Sequence, residues 1–241
     1  MKPSPLLPLM TRFLAALTGP GRWWLIASAR AQCWLWRALV DGADVAKRTL
    51  DIVLSFAALV LLAPLLLVIG LLIRLEDGEP VIFAQTRVGK FGREFKMYKF
   101  RSMRPNAEAR LEEVLARNHH KEGVTFKVKG DPRLTRTGKW LRRLSFDELP
   151  QFFNVLRGNM SLVGPRPPLP REVARYSLAD RRRLAVKPGL TCLWQISGRS
   201  EIDFSGQVKL DVEYIETWSF ATDLKILAKT VPAVLSGKGA C

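Results

Sequence analysis

Metal-ligating and histidine chemistry have little to work with in this chain. Its 241 residues include three cysteines (Cys33, Cys192, Cys241) and two histidines, the adjacent pair His119-His120. Cysteines that are odd in number and scattered give neither a disulfide framework nor zinc spacing, which points to reduced thiols facing a cytosol. Two neighbouring histidines in a charged stretch supply no Ser-His-Asp material. A P-loop and a Gly-x-Gly-x-x-Gly fingerprint are also missing, which excludes an ordinary nucleotide kinase. Acidic residues are outnumbered, 22 Asp+Glu against 38 Lys+Arg, for a net charge of +16. Such an excess implies a polyanionic surface or ligand: nucleic acid, anionic headgroups or phosphorylated substrates. No recognition helix or aromatic stacking module accompanies it, which argues against nucleic acid as the partner.

Long uncharged runs are also rare, and the one present dominates the N-terminal third. Residues 52–73 carry 22 positions without a charge, enough to cross a hydrocarbon core of about 30 Å as one helix. Two features compete with a simple span. Pro64 falls near the middle, where it removes a helical hydrogen bond. Both flanks are basic, with Lys47-Arg48 before and Arg74, Arg87, Lys90 and Arg93 after, so the positive-inside rule gives no orientation for a single crossing. A re-entrant segment that turns at Pro64 and leaves on the side it entered satisfies both flanks. The residues alone leave spanning and re-entrant readings open. Residues 1–45, with Trp23, Trp24, Trp34 and Trp36 among interleaved arginines, read either as an interfacial amphipathic helix or as an irregular extension.

Beyond residue 75 the chain has a soluble character. Residues 80–85 and 95–100 read as short strands around a glycine-containing turn. Residues 106–118 are helical in pattern, and Asp131-Pro132 opens a turn into 134–144. A helix starting near Asp147 continues through 151–156 and stops at Gly158. Residues 164–170, rich in proline, form a rigid extended loop. Residues 171–184 read as a charged helix, 190–196 as an apolar strand or buried strip, and 202–235 as mostly helical. Along that last stretch Trp218, Phe220, Leu224, Ile226 and Leu227 make the apolar face. The fold class is therefore predominantly α with a small β component (α+β), divided into an extension (1–46), a hydrophobic segment (47–76) and a domain of soluble character (77–241).

The densest chemistry lies in Arg142-Arg143-Leu144-Ser145-Phe146-Asp147-Glu148-Leu149-Pro150-Gln151. Ser145 and Glu148 fit a capping box, a purely structural role. Pro150 competes with it, because a helix starting at Asp147 places the proline where no bond is lost. Asp147 then caps the helix at its positive end, where paired carboxylates can hold a divalent cation and one can attack phosphorus. Lys99, Arg101, Arg142, Arg166 and Arg199 form a basic set suited to phosphate oxygens.

From residue 47 to 230 the chain resembles the bacterial sugar transferases, the monotopic polyprenyl-phosphate phosphoglycosyl transferases. The resemblance rests on Lys47-Arg48-Thr49-Leu50-Asp51, Pro80-Val81-Ile82-Phe83-Ala84-Gln85-Thr86-Arg87-Val88-Gly89, Lys99-Phe100-Arg101-Ser102-Met103 and the Asp-Glu run. It continues through Gly158-Asn159-Met160-Ser161-Leu162-Val163-Gly164-Pro165-Arg166-Pro167, Lys187-Pro188-Gly189-Leu190-Thr191, Gln195-Ile196-Ser197-Gly198-Arg199 and Asp211-Val212-Glu213-Tyr214. It implies an enzyme at the cytoplasmic face of the inner membrane, embedded through a helix-break-helix at Pro64. The implied reaction moves a sugar-1-phosphate from a UDP-sugar to a polyprenyl phosphate with Mg2+ (magnesium), releasing UMP. By that similarity Asp147 is the nucleophile and a magnesium ligand, and Glu148 assists as acid, base or orienting carboxylate. Lys99, Arg101, Arg142, Arg166 and Arg199 are phosphate and nucleotide contacts. Many relatives carry Ser-Pro at the break, where this chain has Ala63-Pro64. Membrane lipids are the other implied partner, and self-association as a homo-oligomer is left open. The competing expectation is a single-pass protein with a basic, non-enzymatic binding domain.

Overall fold

The computed structural model describes residues 20–104, 107, 131–198 and 202–236. The chain forms two compact units, Met1–Arg48 and Thr49–Cys241. The described part of the first is helical, from Pro20 onward in α1 (Pro20–Leu61), and proline is well tolerated at a helix start. Residues 1–19 and the four tryptophan side chains, on which the interfacial expectation rests, lie outside what is described.

In the second unit α1 ends at Leu61, and α2 (Ala63–Asp77) begins at once with a bend of 61°. Pro64 sits in the first turn of α2, where its missing N–H and fixed φ cost least. Helical bonds resume on either side, from Leu62 N to Ala58 O and from Leu66 N to Leu62 O, both 2.9 Å. No single described helix is long and apolar enough to cross a membrane, whereas the bent pair together has the length and composition. Leu61, Leu67 and Leu75 are each at least three-quarters exposed, an apolar surface larger than a water-facing helix normally carries.

The hairpin forms as the alternation indicates. β1 (Ile82–Val88) pairs antiparallel with β2 (Glu94–Phe100), in register from Ile82–Phe100 to Val88–Glu94. A 3-10 turn at Lys90–Gly92 connects them. Then come α3 (Arg136–Arg143), a 3-10 turn (Phe146–Glu148), α4 (Gln151–Arg157) and β3 (Ser161–Val163). After these lie α5 (Pro170–Val173), a second 3-10 segment (Asp180–Leu184), β4 (Gly189–Thr191), α6 (Leu193–Ser197), α7 (Phe204–Glu216) and α8 (Phe220–Ser236). β3 and β4 are parallel, with Ser161 opposite Gly189 and Val163 opposite Thr191. Two glycines allow the chain to close here: a Cβ on Gly189 would stand 2.1 Å from Gly164 N. The architecture is mostly helical with two small sheets, as expected.

One core gathers Met97, Val155, Met160, Leu162, Val163, Tyr214 and Ile226. A second joins Ile69 and Ile73 of α2 to Phe100 and Leu141, packing α2 against the hairpin and α3. Asp51 of α1 strengthens the attachment from the other arm. Its buried carboxylate accepts from Leu162 N at 2.8 Å and Ser161 Oγ at 3.1 Å. Asp51→Ala strands both donors and should lower stability by about 1–3 kcal/mol, measured by thermal or denaturant unfolding in detergent. Asp51→Asn, which keeps an acceptor oxygen, should lose less.

Three local expectations are corrected. Residues 171–184 are not one helix: Ser177 and Asp180 exchange capping bonds, with Ser177 N and Oγ donating to Asp180 Oδ2 at 2.8 Å. These bonds start the second segment afresh. Residues 190–196 divide into strand β4 and helix α6. On the last stretch Ile226 is buried and Trp218 and Leu227 pack against it, but Phe220 and Leu224 remain exposed. The helical pattern at 106–118 lies outside the described residues, apart from Ala107.

Candidate active site

The Asp147-Glu148 run does not adopt the expected cap. Ser145 closes α3 in the left-handed region with φ 58° and makes no side-chain capping bond, so the Ser-x-x-Glu box does not form. Bonds of the i to i−3 type follow one another, from Glu148 N to Ser145 O (3.2 Å) through Phe153 N to Pro150 O (3.1 Å). Pro150 has no N–H to give to Phe146, so α-helical bonding starts only past it, and α4 begins at Gln151. Both carboxylates therefore ride on a single tight turn, and neither is spent on capping α4.

They face a cavity of 1210 Å³. Glu148 Oε1 accepts from Lys99 Nζ of β2 at 2.6 Å. Burial would raise the Glu148 pKa, but the Lys99 ammonium, backed by Arg166 and Arg87, brings it below the usual carboxylate value. Asp147 is buried, and that burial raises its pKa to about 6 against the opposing pull of Lys99, with the Glu148 charge adding to the rise. Two neighbouring carboxylates are thus pushed apart in acidity, an arrangement typical of sites where they hold different roles.

The basic wall is assembled from separate elements. Arg142, in the last turn of α3, donates from Nε to Ser102 Oγ at 3.1 Å. That reach depends on Gly138, where a Cβ would stand 2.0 Å from Ser102 O. Thr135 caps the helix start, accepting from Gly138 N at 2.8 Å, and Glu76 of α2 accepts from Arg136 N and Thr137 N at 2.7 and 2.9 Å. Arg101 is buried and anchored through Nη2 to Asp77 O (2.8 Å) and Gly78 O (2.6 Å), while its Nε and Nη1 have no hydrogen-bond partner. Arg166 lines the cavity from the proline-rich loop, as expected. The structure therefore brings together Lys99, Arg101, Arg142, Arg166, Asp147 and Glu148. Arg199 lies outside the described residues.

Arg87 is the functional candidate the sequence reasoning missed, having placed it in a flank and a family block but not among the site residues. It is buried, donates from Nη1 to Pro167 O at 2.9 Å, and together with the Val88 N to Pro168 O bond (2.9 Å) moors the Arg166 loop on β1. Burial and the neighbouring Arg166 charge depress its pKa to about 9. Strand alternation gave no signal for it, because Arg87 and its neighbour Val88 are both buried. Among the described residues, eight cationic side chains and four carboxylates line the cavity, an imbalance that a polyphosphate would neutralise. No cluster of three or more metal-ligating side chains occurs among the described residues. The pair still fits magnesium, which commonly takes one or two carboxylates and completes its shell with water and substrate phosphate.

Residues 42–237 match the family described as bacterial sugar transferase. The chain belongs to that family. It is 50% identical over 197 residues to galactosyl transferase CpsE of Streptococcus agalactiae, covering 81% of this chain and 43% of that protein. The exopolysaccharide production protein ExoY of Rhizobium meliloti is 42% identical, with 81% and 88% covered. The undecaprenyl-phosphate galactose phosphotransferase of Salmonella typhimurium is 44% identical, with 80% and 41% covered. The chain thus spans less than half the length of two of these relatives and nearly all of ExoY. Family membership leaves the duties of the cavity's residues to be argued from geometry.

Proposed function

We propose that this sugar transferase moves a sugar-1-phosphate from a UDP-sugar to a polyprenyl phosphate, at the start of exopolysaccharide or capsule assembly. The observation that carries the reading is the buried Asp147 carboxylate beside a Lys99-neutralised Glu148 in a cation-lined cavity. An Asp147 oxygen attacks the sugar-bearing phosphorus of the donor. A new Asp–O–P bond forms, the P–O bond to the nucleotide breaks, and UMP leaves with the bridging oxygen. A phosphate oxygen of the polyprenyl phosphate then attacks the same phosphorus, the Asp–O–P bond breaks, and the carboxylate is regenerated with the lipid-linked diphosphate sugar. Arg142, Arg166 and Lys99 are placed to hold the equatorial oxygens through both steps, and Arg87 keeps the Arg166 loop in position. Asp147 would hold magnesium, which would supply further charge neutralisation at the transferring phosphoryl group. Incubation with UDP-sugars and magnesium, without acceptor, tests the scheme: a UMP burst of about one per enzyme, with a phosphosugar adduct on the peptide bearing Asp147, is the expected result. No burst with any UDP-sugar would refute it.

The pH dependence follows from Asp147. Attack needs the ionised carboxylate, so kcat/KM should fall about tenfold per unit as pH drops below about 6. Stability should move the other way. A carboxyl whose folded pKa is raised binds its proton more tightly in the folded state, so between about pH 4 and 6 this group adds stability as the pH falls. Comparing a rate profile with unfolding midpoints over pH 4–7 reads both signs.

For membrane placement, the bend at Pro64, the exposed leucines on both arms and the basic flanks support a re-entrant insertion from the cytoplasmic face. Engineered cysteines near residues 48 and 76 should then be labelled from the same side. Labelling from opposite sides would favour the single-pass alternative.

A further inference from the structure

α3 places Arg142 in the cavity wall, yet little of its position is set within the helix itself. It is eight residues long, carries Arg136, Lys139, Arg142 and Arg143, and has no acid in its first turn. So short a helix is marginal on its own, and Arg136 sets a cation against the positive end of the helix dipole. The first four N–H groups of a helix have no partner inside it, so the groups they bond to decide where it sits. Thr135 N donates to Ser102 O at 3.2 Å and Gly138 N to Thr135 Oγ1 at 2.8 Å. The remaining two donate to Glu76, Arg136 N to Oε1 at 2.7 Å and Thr137 N to Oε2 at 2.9 Å. Both carboxylate oxygens of a residue in the last turn of α2 are thus committed to the start of α3, 60 residues further on.

We propose that Glu76 is a positioning residue for sugar-phosphate transfer: it fixes the start of α3 and so sets Arg142, at the other end, against the transferring phosphoryl group. This role rests on the transferase reading above and falls to a residue outside the cavity lining. The bonds that tie α3 to the hairpin side converge on one residue. Ser102 accepts from Thr135 N through its carbonyl and from Arg142 Nε through its hydroxyl at 3.1 Å. A Cβ on Gly138 would stand 2.0 Å from the same carbonyl. Contacts gathered at one residue make a pivot about which a two-turn helix can still swing. Leu141 shares a core with Ile69 and Ile73 of α2, but apolar burial is non-directional and resists that swing weakly. Thr135 Oγ1 caps its own helix and moves with it. Glu76 bonds directionally from another element, so it supplies a second fixed point. Arg142 needs that precision, because an error of about 1 Å in the placement of a reacting phosphoryl group can cost about 10²-fold in rate.

The test is a double-mutant cycle on the full chain in detergent, with magnesium, polyprenyl phosphate and a UDP-sugar that the unsubstituted protein turns over. Each variant is assayed below its own unfolding midpoint. Glu76→Ala should lower kcat/KM by about tenfold to a hundredfold. In an Arg142→Ala background the same substitution should cost less than about threefold, because the placement of an absent side chain cannot be lost again. Glu76→Gln keeps the length and one acceptor oxygen, so it should recover part of the rate lost in Glu76→Ala. A cap of purely structural value would lower the unfolding midpoint and leave kcat/KM unchanged, or lower it by the same factor in both backgrounds; either result overturns the inference. If Glu76→Ala does not fold, Glu76→Gln runs the same cycle, and equal losses with and without Arg142 overturn it there. Should the unsubstituted protein release UMP from no UDP-sugar, the transferase reading falls and the inference with it. Normal turnover with additive losses removes the inference alone.

Discussion

Asp147→Asn should abolish turnover, lowering UMP release by about 10⁴-fold or more while leaving the fold intact. The substitution is nearly isosteric, so the tight turn, the Lys99–Glu148 contact at 2.6 Å and the cavity walls have no reason to move. What disappears is the oxygen that bonds to phosphorus: a neutral amide is a poor nucleophile and cannot form the covalent phosphosugar. Removal of a covalent nucleophile commonly costs 10⁴- to 10⁶-fold. Stability gives the control. Asp147 is buried and its pKa is raised to about 6 by that burial, so at neutral pH the folded state carries a charge it would rather not hold. A neutral replacement should leave the unfolding temperature equal or higher. Dead enzyme with undiminished stability and no trapped adduct is the joint expected result. Retention of more than about 1% of turnover would dismiss the covalent route through this residue.

The same residue shows how far the sequence could be read. The adjacent carboxylates behind two arginines, the proline after them and the glycine stop at 158 were all visible, and they located the site. The backbone geometry was not, because two local rules competed: a capping box wanted the helix at Ser145 and the proline wanted it later. The outcome was neither. A run of i to i−3 bonds from Ser145 to Phe153 satisfied the backbone and freed both side chains. Lys99 was legible as a strand lysine in a family block, but its pairing with Glu148 spans 49 residues and no local pattern encodes it. Arg87 was missed for the same reason, since its function is to hold a loop 80 residues away. Glu76, which caps α3 from the end of α2, likewise belongs to tertiary structure. Pro64 is the opposite case. A proline acts on its own helix whatever surrounds it, so the break was readable from one position.

The second large effect falls on Lys99. Lys99→Met should reduce kcat/KM at pH 7 by about 10²- to 10³-fold, and its pH profile should identify the cause. Lys99 is the strongest pull lowering the pKa of both carboxylates. Without it, two buried acids lie side by side with only more distant arginines to offset them, and the pair keeps a proton well into the neutral range. The nucleophile is then protonated at pH 7, and activity should recover partly as pH rises toward 8–9. A residue that merely shaped the cavity would leave the profile where it was. Stability should also fall, by about 1–3 kcal/mol. That is less than the 3–5 for a fully buried pair, because the two side chains retain 23% and 30% of their exposure. Adding Glu148→Gln to Lys99→Met separates the two effects. The neutral amide no longer needs a cation, so the double variant should regain most of the lost stability. It also removes the charge that raises the Asp147 pKa, so the pH profile should shift back toward lower pH. Turnover should stay low, because Lys99 no longer faces the transferring phosphoryl group. Recovery of turnover together with stability would mean that Lys99 serves only to neutralise Glu148. A profile unmoved in the single variant would mean that it sets the acidity of neither carboxylate.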